Sequence, residues 1–338
     1  MPKIVRTDGE LELPHVDRVL RESGADLIVL PDAVTRERLT AEIRDAELLL
    51  MCYTPVPAQI IESARWLKGI VKYGVGIDAI DIDAAKRRRI PIVNVPEYAE
   101  ETVAEGALAL MLAVARKFKP LQREMEARGW VWPKSRWLAS DLAGKTLGLV
   151  GVGRIGTKVA RMAGHGFRMN VLGYVPFVDR DAMKHAGVDK CDELHALLRQ
   201  SDVVSVHAVL TPETRQLIGE REFACMKPSA MFINVSRGAI VDEQALVDAL
   251  ESKTIGGAGL DVYGAEPLRL TGHPLATLHT MDNVILWPHL TFYTAEAMKR
   301  LEDETLERCF EILEGRPVLV KSRDPRLRAQ TEGVRFPD

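Results

Sequence analysis

The sequence predicts an α/β protein with two doubly wound parallel sheets. The chain has 338 residues, which suggests two or three domains. Short apolar runs alternate with helical patterns in both halves, an order typical of parallel sheets that are covered by helices. A glycine-rich turn at 151–156 joins a short apolar run to a helical pattern, which is the setting of a dinucleotide-binding turn.

Composition and charge are those of an ordinary globular protein. Hydrophobic residues make up 46% of the chain and charged residues 28%, which is enough apolar surface for a sizeable core. The formal net charge of -3 argues against nucleic acid or an anionic membrane as a partner. One basic run, Lys86–Arg89, ends a helical pattern, and we interpret it as a solvated helix end in preference to an anion site.

The cysteines predict a reducing compartment. They are Cys52, Cys191, Cys225 and Cys309, which lie far apart without a C-x-x-C pair, so the sequence carries no metal or redox signature. All four fall in apolar patterns, as reduced core residues of a cytoplasmic protein do. The N-terminus lacks the apolar region of a signal peptide, and no apolar run approaches the ~18 residues that span a membrane.

The first half of the chain predicts a small α/β domain without a nucleotide site of its own. No glycine-rich phosphate loop follows its first strand. The expected strands are 4–5, 27–30, 48–51, 69–72 and 90–93, and the expected helices are 14–23, 35–45, 56–65 and 80–88.

An apolar helix is expected to follow this domain. Thr102 and Glu105 match a capping box, which predicts that the helix opens there and runs from Gly106 to Phe118. The segment is apolar on nearly all sides, so we expect it to be buried.

Three tryptophans fall within the eight residues 130–137. Such a segment does not resemble a solvated loop. The rings pack either on the chain's own core or in a subunit interface, where tryptophan is enriched, and the sequence favours neither.

The glycine turn predicts a site for the pyrophosphate of a dinucleotide. Thr146–Val150 is an apolar run of strand length that leads directly into it. Gly151 allows the tight turn, Gly153 allows the backbone to approach the pyrophosphate, and Gly156 allows the following helix to pack close to the strand. The free N–H groups at the start of that helix would face the phosphates.

The remainder of the chain completes this second sheet and then forms a long amphipathic helix that ends at Gly315. The polar tail from residue 316 is expected to return to the first domain. The expected strands are 146–150, 170–174, 202–206, 230–235, 257–261 and 284–287, and the expected helices are 157–163 and 294–314.

Five motifs in a fixed order resemble those of the D-isomer-specific 2-hydroxyacid dehydrogenase family, over about 45–320. The resemblance implies two Rossmann-like domains, each a doubly wound parallel sheet, with the active site in the cleft between them. A substrate-binding domain would take 1–101 and 291–338, and a dinucleotide-binding domain would take 102–290. The motifs are Lys72–Asp78, Gly151–Gly156, Asn234–Asp242, Gly259–Pro267 and Trp287–Leu290.

The resemblance implies a catalytic triad of Arg237, Glu266 and His289, and their chemistry suits that role. The planar guanidinium of Arg237 can hold the carboxylate and carbonyl oxygen of a 2-oxo acid. His289 can donate a proton to the developing alkoxide or remove it in reverse, and Glu266 would favour the charged imidazolium. Singly these residues would indicate a surface salt bridge, a turn and a strand cap; together, downstream of one dinucleotide turn, they favour an active site.

The resemblance also implies which residues bind substrate and cofactor. The backbone N–H groups of Val75 and Gly76 would hold the substrate carboxylate. Tyr53 falls where members place a substrate contact, although a half-buried tyrosine at a strand end is an equal alternative. A homodimer through the dinucleotide-binding domain is implied as well. The cofactor would contact Thr102, Gly151, Gly153, Arg154, Ile155, Gly156, Val175 and Asp261.

The chain departs from the family at the residue that selects the cofactor. NAD-binding members carry an aspartate at the end of the second strand of this domain, where this chain has Val175. The ribose 2′-hydroxyl loses its acceptor, and the 2′-phosphate of NADP is no longer repelled. No arginine follows at once, since Arg180 lies five residues on, so the cofactor is NAD or NADP, with NADP at least tolerated.

A second departure follows the predicted catalytic histidine. Family members commonly have Pro-His-Ile-Gly-Gly-Ala-Thr, whereas residues 288–294 here read PHLTFYT. Phe292 and Tyr293 therefore place bulk beside the site, where they either narrow it or shape an unusual pocket.

Other functions remain open on sequence grounds. Formate dehydrogenases share the fold but lack the glutamate, so Glu266 argues against that activity. A 3-phosphoglycerate dehydrogenase needs cations for its substrate phosphate that the sequence does not place, and its longer members add a regulatory C-terminal domain that this chain ends too early to hold. A cofactor-sensing protein like the corepressors built on this fold would keep much of the triad. The sequence does not identify the substrate.

Overall fold

The computed structural model describes residues 1–337 and divides the chain into two compact units. One consists of Met1–Ala99 and the segment that begins at Thr294, and the other of Glu100–Tyr293. The units divide two residues before the first expected bound and three residues after the second, and the expected domain bounds at residues 101 and 291 stay a prediction. Glu100 already belongs to a helix of the second unit, and Thr294 caps a helix of the first.

The N-terminal part of the first unit alternates strands and helices as the sequence predicts. Its elements are β1 (Lys3–Arg6), α1 (Pro14–Glu22), β2 (Asp26–Val29), α2 (Arg36–Ile43), β3 (Leu48–Met51), α3 (Ala58–Ser63), β4 (Gly69–Lys72), α4 (Ile82–Arg87) and β5 (Ile92–Asn94). The five strands are parallel in the order β2-β1-β3-β4-β5, one of the two common doubly wound orders. Every residue of β3 and β4 is buried, which explains why both read as unbroken apolar runs.

The second unit contains a seven-stranded parallel sheet. Its elements are α5 (Glu100–Ala115), α6 (Phe118–Arg128), β6 (Thr146–Val150), α7 (Arg154–Arg161), β7 (Asn170–Tyr174), α8 (Arg180–His185), β8 (Asp189–Lys190), α9 (Leu194–Gln200), β9 (Val203–Val206), α10 (Glu220–Cys225), β10 (Met231–Asn234), α11 (Glu243–Glu251), β11 (Gly257–Leu260) and β12 (Val284–Leu286). A π-helical turn at Met162–Gly166 extends α7, and short 3-10 helices lie at Ser135–Trp137, Gly238–Ile240 and Pro274–Thr280.

The strand order β12-β11-β10-β9-β6-β7-β8 places the glycine turn after β6, directly beside the central strand β9. The chain crosses from one half of the sheet to the other between β6 and β9, and ligands of open α/β sheets bind at such a switch point. The sequence predicts six of the seven strands. It misses β8, because two charged residues carry no apolar run.

The linking helix α5 begins earlier than predicted. It starts at Glu100, so Thr102 lies within its first turn, and the expected capping box at Thr102 is wrong. The helix ends at Ala115, and Phe118 opens α6 instead of closing α5. Its predicted burial is confirmed, because most of its apolar side chains are inaccessible and it packs on β10 and β11.

The C-terminal segment returns to the first sheet, as the sequence predicts. Thr294 caps the long helix and Gly315, at φ +70°, ends it. A Cβ on Gly69 would lie 2.7 Å from Cδ1 of Ile312, so the glycine in β4 lets this helix approach. The side chain of Gln330 exchanges two hydrogen bonds with the backbone of β5. The segment contains α12 (Ala295–Leu313), β13 (Val318–Leu319), α13 (Pro325–Arg328) and β14 (Val334–Arg335).

The tryptophan segment does not pack on the core of its own unit. Trp130 and Trp132 are 62% and 71% exposed and contact each other edge to face, while Trp137 is half-buried under Arg136. The alternative that the rings cover the chain's own core is therefore wrong for Trp130 and Trp132. Both remain available to another molecule.

The four cysteines divide into two kinds. Cys52 and Cys309 are buried, whereas Cys191 and Cys225 are half-buried, so the expectation of four core residues holds for two; all four thiols are free. Within the described residues, no helix is long and apolar enough to cross a membrane.

Candidate active site

The three glycines of the turn differ in what surrounds them. Gly151 adopts φ +97°, and a Cβ there would lie 2.6 Å from the backbone nitrogen of Ala208. A Cβ on Gly156 would lie 2.5 Å from the carbonyl oxygen of Gly151, so only glycine lets α7 pack this close. Gly153 has open space at the same position. The turn is tight on two sides and open on the third, where a ligand can approach.

The first turn of α7 supplies backbone donors at this opening. The helix begins at Arg154, three residues earlier than predicted, because Gly156, the last glycine of the turn, already lies within it, while Gly153 is the extended residue before it. The N–H groups of Arg154, Ile155 and Gly156 therefore have no helical acceptor. The N–H groups of a helix start beside an open glycine fit the pyrophosphate of a dinucleotide, so the residues present suit that cofactor.

Ion pairs join α5 to α7 beside the turn. Glu101 accepts hydrogen bonds from Lys158 at 2.8 Å and Arg161 at 2.7 Å. The bond from Lys158 lowers the pKa of Glu101 below its usual value. Thr102 lies next to this cluster and is buried. Its predicted contact with the cofactor stays a prediction.

The end of β7 carries no charge that selects a cofactor. Val175 follows the strand and is half-buried. Arg180, the nearest following arginine, donates to Asp192 at 2.6 Å and to the carbonyl oxygen of Lys190. The guanidinium of Arg180 is therefore already bound by residues that lie close to it in sequence. Neither an acceptor for a ribose hydroxyl nor a free guanidinium for a phosphate follows directly from this strand end.

The structure reveals one residue at the switch point that the sequence reasoning missed. His207 follows β9, and its Nε2 lies 2.9 Å from the hydroxyl of Ser205. Burial lowers the pKa of His207 to about 4. The ring is therefore neutral at physiological pH. Its position directly after an apolar strand, beside the glycine turn, is the signal that could have identified it.

The predicted histidine and glutamate lie together. Nδ1 of His289 is 2.8 Å from Oε2 of Glu266, and Oε1 of Glu266 accepts from the backbone N–H of Tyr263 at 2.9 Å. Burial alone would raise the pKa of Glu266. The hydrogen bond and charge of His289, the Tyr263 amide and the charge of Arg237 outweigh it and lower that pKa. Glu266 is thus held as a carboxylate against the imidazole.

Arg237 stands at the end of the neighbouring strand. It follows β10, and Nη1 donates to the carbonyl oxygen of Ser236 at 2.7 Å. The side chain of Asn234 donates to the Arg237 carbonyl oxygen at 3.0 Å, which fixes the backbone there. Because its charge acts on Glu266, the guanidinium belongs to the same cluster. The structure therefore brings the three predicted triad residues together, and their roles stay predictions.

The carboxylate of Asp261 is buried and binds backbone groups of the protein. Asp261 has no exposed surface, and its carboxylate accepts from the backbone N–H groups of Leu290 at 2.8 Å and Thr291 at 3.1 Å. Burial raises the pKa of Asp261, although these hydrogen bonds oppose the shift. Its predicted contact with the cofactor stays a prediction. In the structure the carboxylate holds the backbone that follows His289.

Aromatic rings continue from the histidine. The ring centroids of His289 and Phe292 are 6.3 Å apart, those of Phe292 and Tyr293 are 5.9 Å apart, and both contacts are edge to face. Phe292 is buried, whereas Tyr293 is 46% exposed. Phe292 thus packs beside the imidazole and does not close over it.

The predicted substrate residues of the first unit lie where β3 and β4 end. Tyr53 and Val75 are 41% and 43% exposed, and Gly76 is half-buried. The Asn94 side chain donates to the Val75 carbonyl oxygen at 2.6 Å and holds this loop. Exposed N–H groups at the carboxyl edge of a parallel sheet suit an anion. Their contact with substrate stays a prediction.

The sequence reasoning also missed a buried cation at this edge. Lys72 ends β4, and its Nζ lies 3.0 Å from Sγ of Cys52 and 5.4 Å from the ring centroid of Tyr53. Burial raises the pKa of the Cys52 thiol, so the neighbour of the ammonium is uncharged. A lysine that closes an otherwise apolar strand was the available signal.

Comparison with known proteins adds the family. The sequence profile of the NAD binding domain of D-isomer specific 2-hydroxyacid dehydrogenases matches residues 108–291. A D-3-phosphoglycerate dehydrogenase of Methanocaldococcus jannaschii is 37% identical over 316 residues, which are 93% of this chain and 58% of that protein. A glyoxylate reductase of Korarchaeum cryptofilum is 37% identical over 276 residues, 81% of each chain. The chain spans about half the length of the phosphoglycerate dehydrogenases it matches.

Solved structures agree with the fold over nearly the whole chain. D-lactate dehydrogenase of Aquifex aeolicus, in complex with NAD and lactic acid, is 30% identical, covers 92% of this chain and 96% of its own, and gives a TM-score of 0.82. An acyclic imino acid reductase in complex with NADPH and D-arginine is 28% identical, covers 94% and 98%, and gives a TM-score of 0.81. Similar structures thus include one with NAD and one with NADPH.

We expect His207→Gln to flatten the pH dependence of stability below about pH 6.5. The folded protein keeps His207 neutral down to about pH 4, whereas the unfolded chain takes up this proton near pH 6.5, so wild type loses stability as the pH falls between them. The loss between about pH 6.5 and 4.5 should be about 2 kcal/mol smaller in the variant. Denaturant unfolding at several pH values measures it. Exposed His185→Gln is the control, and equal slopes for wild type and His207→Gln would contradict the assignment.

Proposed function

Because the chain belongs to the D-isomer-specific 2-hydroxyacid dehydrogenase family, we propose that it interconverts a 2-oxo acid and a D-2-hydroxy acid with a nicotinamide cofactor. The observation that carries this proposal is the 2.8 Å contact between His289 and Glu266, with the charge of Arg237 acting on the same cluster. A cation for the substrate anion and a histidine backed by a carboxylate are what the reduction of a 2-oxo acid requires.

Each residue of the cluster has one task in this reaction. The reduced nicotinamide, when bound, supplies the hydride that forms the new C–H bond at the carbonyl carbon. Arg237 holds the substrate carboxylate and polarises the carbonyl oxygen. His289, through Nε2, donates its proton to that oxygen as the alkoxide develops, and takes it back in the oxidation direction. Glu266 stays ionised and so stabilises the protonated imidazole.

We propose the roles of the remaining binding residues from the family pattern as well. Val75 and Gly76 would donate backbone N–H groups to the substrate carboxylate, and Tyr53 would contact the rest of the substrate. Thr102 and Val175 would line the cofactor, whose pyrophosphate would rest on the turn at 151–156. The buried Asp261 would act on that side of the site through the backbone it holds. The open position at Gly153 supports this last assignment.

A small 2-oxo acid is the substrate class that the relatives favour. The glyoxylate reductase is 37% identical over 81% of this chain, and the D-lactate dehydrogenase in complex with lactic acid gives a TM-score of 0.82. The bulk of Phe292 beside His289 also suits a short substrate. We therefore place glyoxylate and hydroxypyruvate before pyruvate and phenylpyruvate.

The second candidate is a protein that binds the cofactor as a sensor, like the corepressors built on this fold. It would keep the same dinucleotide turn and much of the triad. The curated relatives reported above are enzymes, which favours the enzyme. Turnover with any 2-oxo acid separates the two.

We expect His289→Ala to lower kcat for 2-oxo acid reduction by about 10²–10⁴-fold, because the alkoxide loses its proton donor. Glu266→Gln should retain more activity than His289→Ala, because the proton donor stays in place and loses only its anionic partner. NADH and NADPH oxidation with the four acids measures both. Exposed His185→Ala should equal wild type. Full turnover in His289→Ala would rule the mechanism out.

We expect weak discrimination between NADH and NADPH. Val175 offers neither an acceptor for the ribose hydroxyl nor a charge that repels a 2′-phosphate. Val175→Asp should therefore shift preference towards NADH. The ratio of kcat/KM for the two cofactors measures it, and a wild-type preference for NADH above about 10³-fold would contradict the expectation.

We expect the chain to form a homodimer through its exposed tryptophans. Trp130 and Trp132 present large apolar rings without a core of their own to cover. The double variant Trp130→Ala/Trp132→Ala should therefore sediment as a smaller species than wild type. Trp66→Ala, at a ring that is 66% exposed in the other unit, is the control. A wild-type monomer would end the proposal.

A further inference from the structure

We propose that Thr291 is a positioning residue that holds His289 in its catalytic conformation through the carboxylate of Asp261. The inference rests on the proposed function of His289. It adds a residue that the family pattern does not supply, because glycine is common where this chain has Thr291. We call residues 287–293 the histidine loop.

The histidine loop needs an external restraint. His289 adopts φ +59°, a left-handed conformation that side chains other than glycine rarely take. Such a conformation is strained and persists only where surrounding contacts impose it. The contact of Glu266 with Nδ1 restrains only the imidazole ring of His289. It does not restrain the backbone that follows the histidine.

Asp261 supplies that restraint with the help of Thr291. One carboxylate oxygen accepts from the Leu290 N–H at 2.8 Å, and the other accepts from the Thr291 N–H at 3.1 Å and from the Thr291 hydroxyl at 2.5 Å. The hydroxyl bond is the shortest of the three. Asp261 and Thr291 are both buried, so water does not replace a bond that is lost.

The neighbouring helix is shaped to admit Thr291. A Cβ on Gly106 of α5 would lie 2.6 Å from Cβ of Thr291 and 2.7 Å from its Cγ2. Gly106 lies inside a helix, where glycine is destabilising relative to alanine. The fold therefore accepts a weaker helix at the one position where a side chain would displace the threonine.

The Thr291 hydroxyl also affects the pKa of Asp261. Burial raises the pKa of this carboxyl, and the Thr291 hydroxyl is the strongest hydrogen bond that opposes the shift. The titratable groups that face it are His289, in the same loop, and Tyr263, two residues beyond Asp261. Glu266 acts on both of these groups. Without the hydroxyl, Asp261 takes up a proton at higher pH and releases the loop there.

The test compares Thr291→Val, which keeps the shape but removes the hydroxyl, with Thr291→Ser, which keeps the hydroxyl. Thr291→Val should lower kcat/KM at neutral pH by about tenfold and move the acid limb of its pH profile up by about one unit. Thr291→Ser should remain close to wild type in both. Gly106→Ala should resemble Thr291→Val, because it displaces the threonine.

A second measurement does not depend on turnover. Hydrogen exchange of the amides of Leu290 and Thr291, followed by mass spectrometry on a peptide of the histidine loop, should be about tenfold faster in Thr291→Val than in wild type and nearly unchanged in Thr291→Ser. Thermal unfolding of each variant separates local release from loss of the fold.

The outcomes are distinct. If Thr291→Val matches wild type in both the pH profile and exchange, the inference is wrong. If Thr291→Ser fails as badly as Thr291→Val, a retained hydroxyl does not preserve the loop, the exact shape of the side chain decides the outcome, and the inference is again wrong. If His289→Ala retains full turnover, the proposed function fails instead, while the exchange of Leu290 still decides whether Thr291 holds the loop.

Discussion

A parallel sheet places the carboxyl ends of all its strands at one edge, and the candidate site is built from that constraint. In the second unit, the glycine turn follows β6, His207 follows β9, Arg237 follows β10 and His289 follows β12. Asp261 and Glu266 follow β11 between the last two. Residues far apart in sequence therefore meet because neighbouring strands pair in register. Attraction between their side chains is not needed to bring them together.

Two carboxylates that follow the same strand are held in opposite ways. Asp261 is surrounded by the chain, and burial raises its pKa; Glu266 lies against the imidazole and close to a guanidinium, which lower its pKa. The first receives backbone N–H groups and shapes the loop, while the second receives the ring of His289. Environment alone thus separates a structural carboxylate from one suited to acid–base chemistry.

The sequence predicted the strands of both sheets closely, since buried parallel strands read as unbroken apolar runs. It failed at β8, which has two charged residues, and at the start of α5, where two glutamates and not a capping threonine begin the helix. The triad residues could be identified because motifs fix their order. The burial of Asp261 and of Lys72 was not predicted, because burial depends on strands distant in sequence.

The fit between Gly106 and Thr291 makes two distant positions of the chain interdependent. A larger residue at Gly106 is tolerated only if a smaller residue replaces Thr291. A smaller residue at Thr291 with Gly106 unchanged leaves an unfilled space. The two sites are therefore expected to vary together among descendants of this protein. An engineer who transplants this loop into a relative must move the facing turn of α5 with it.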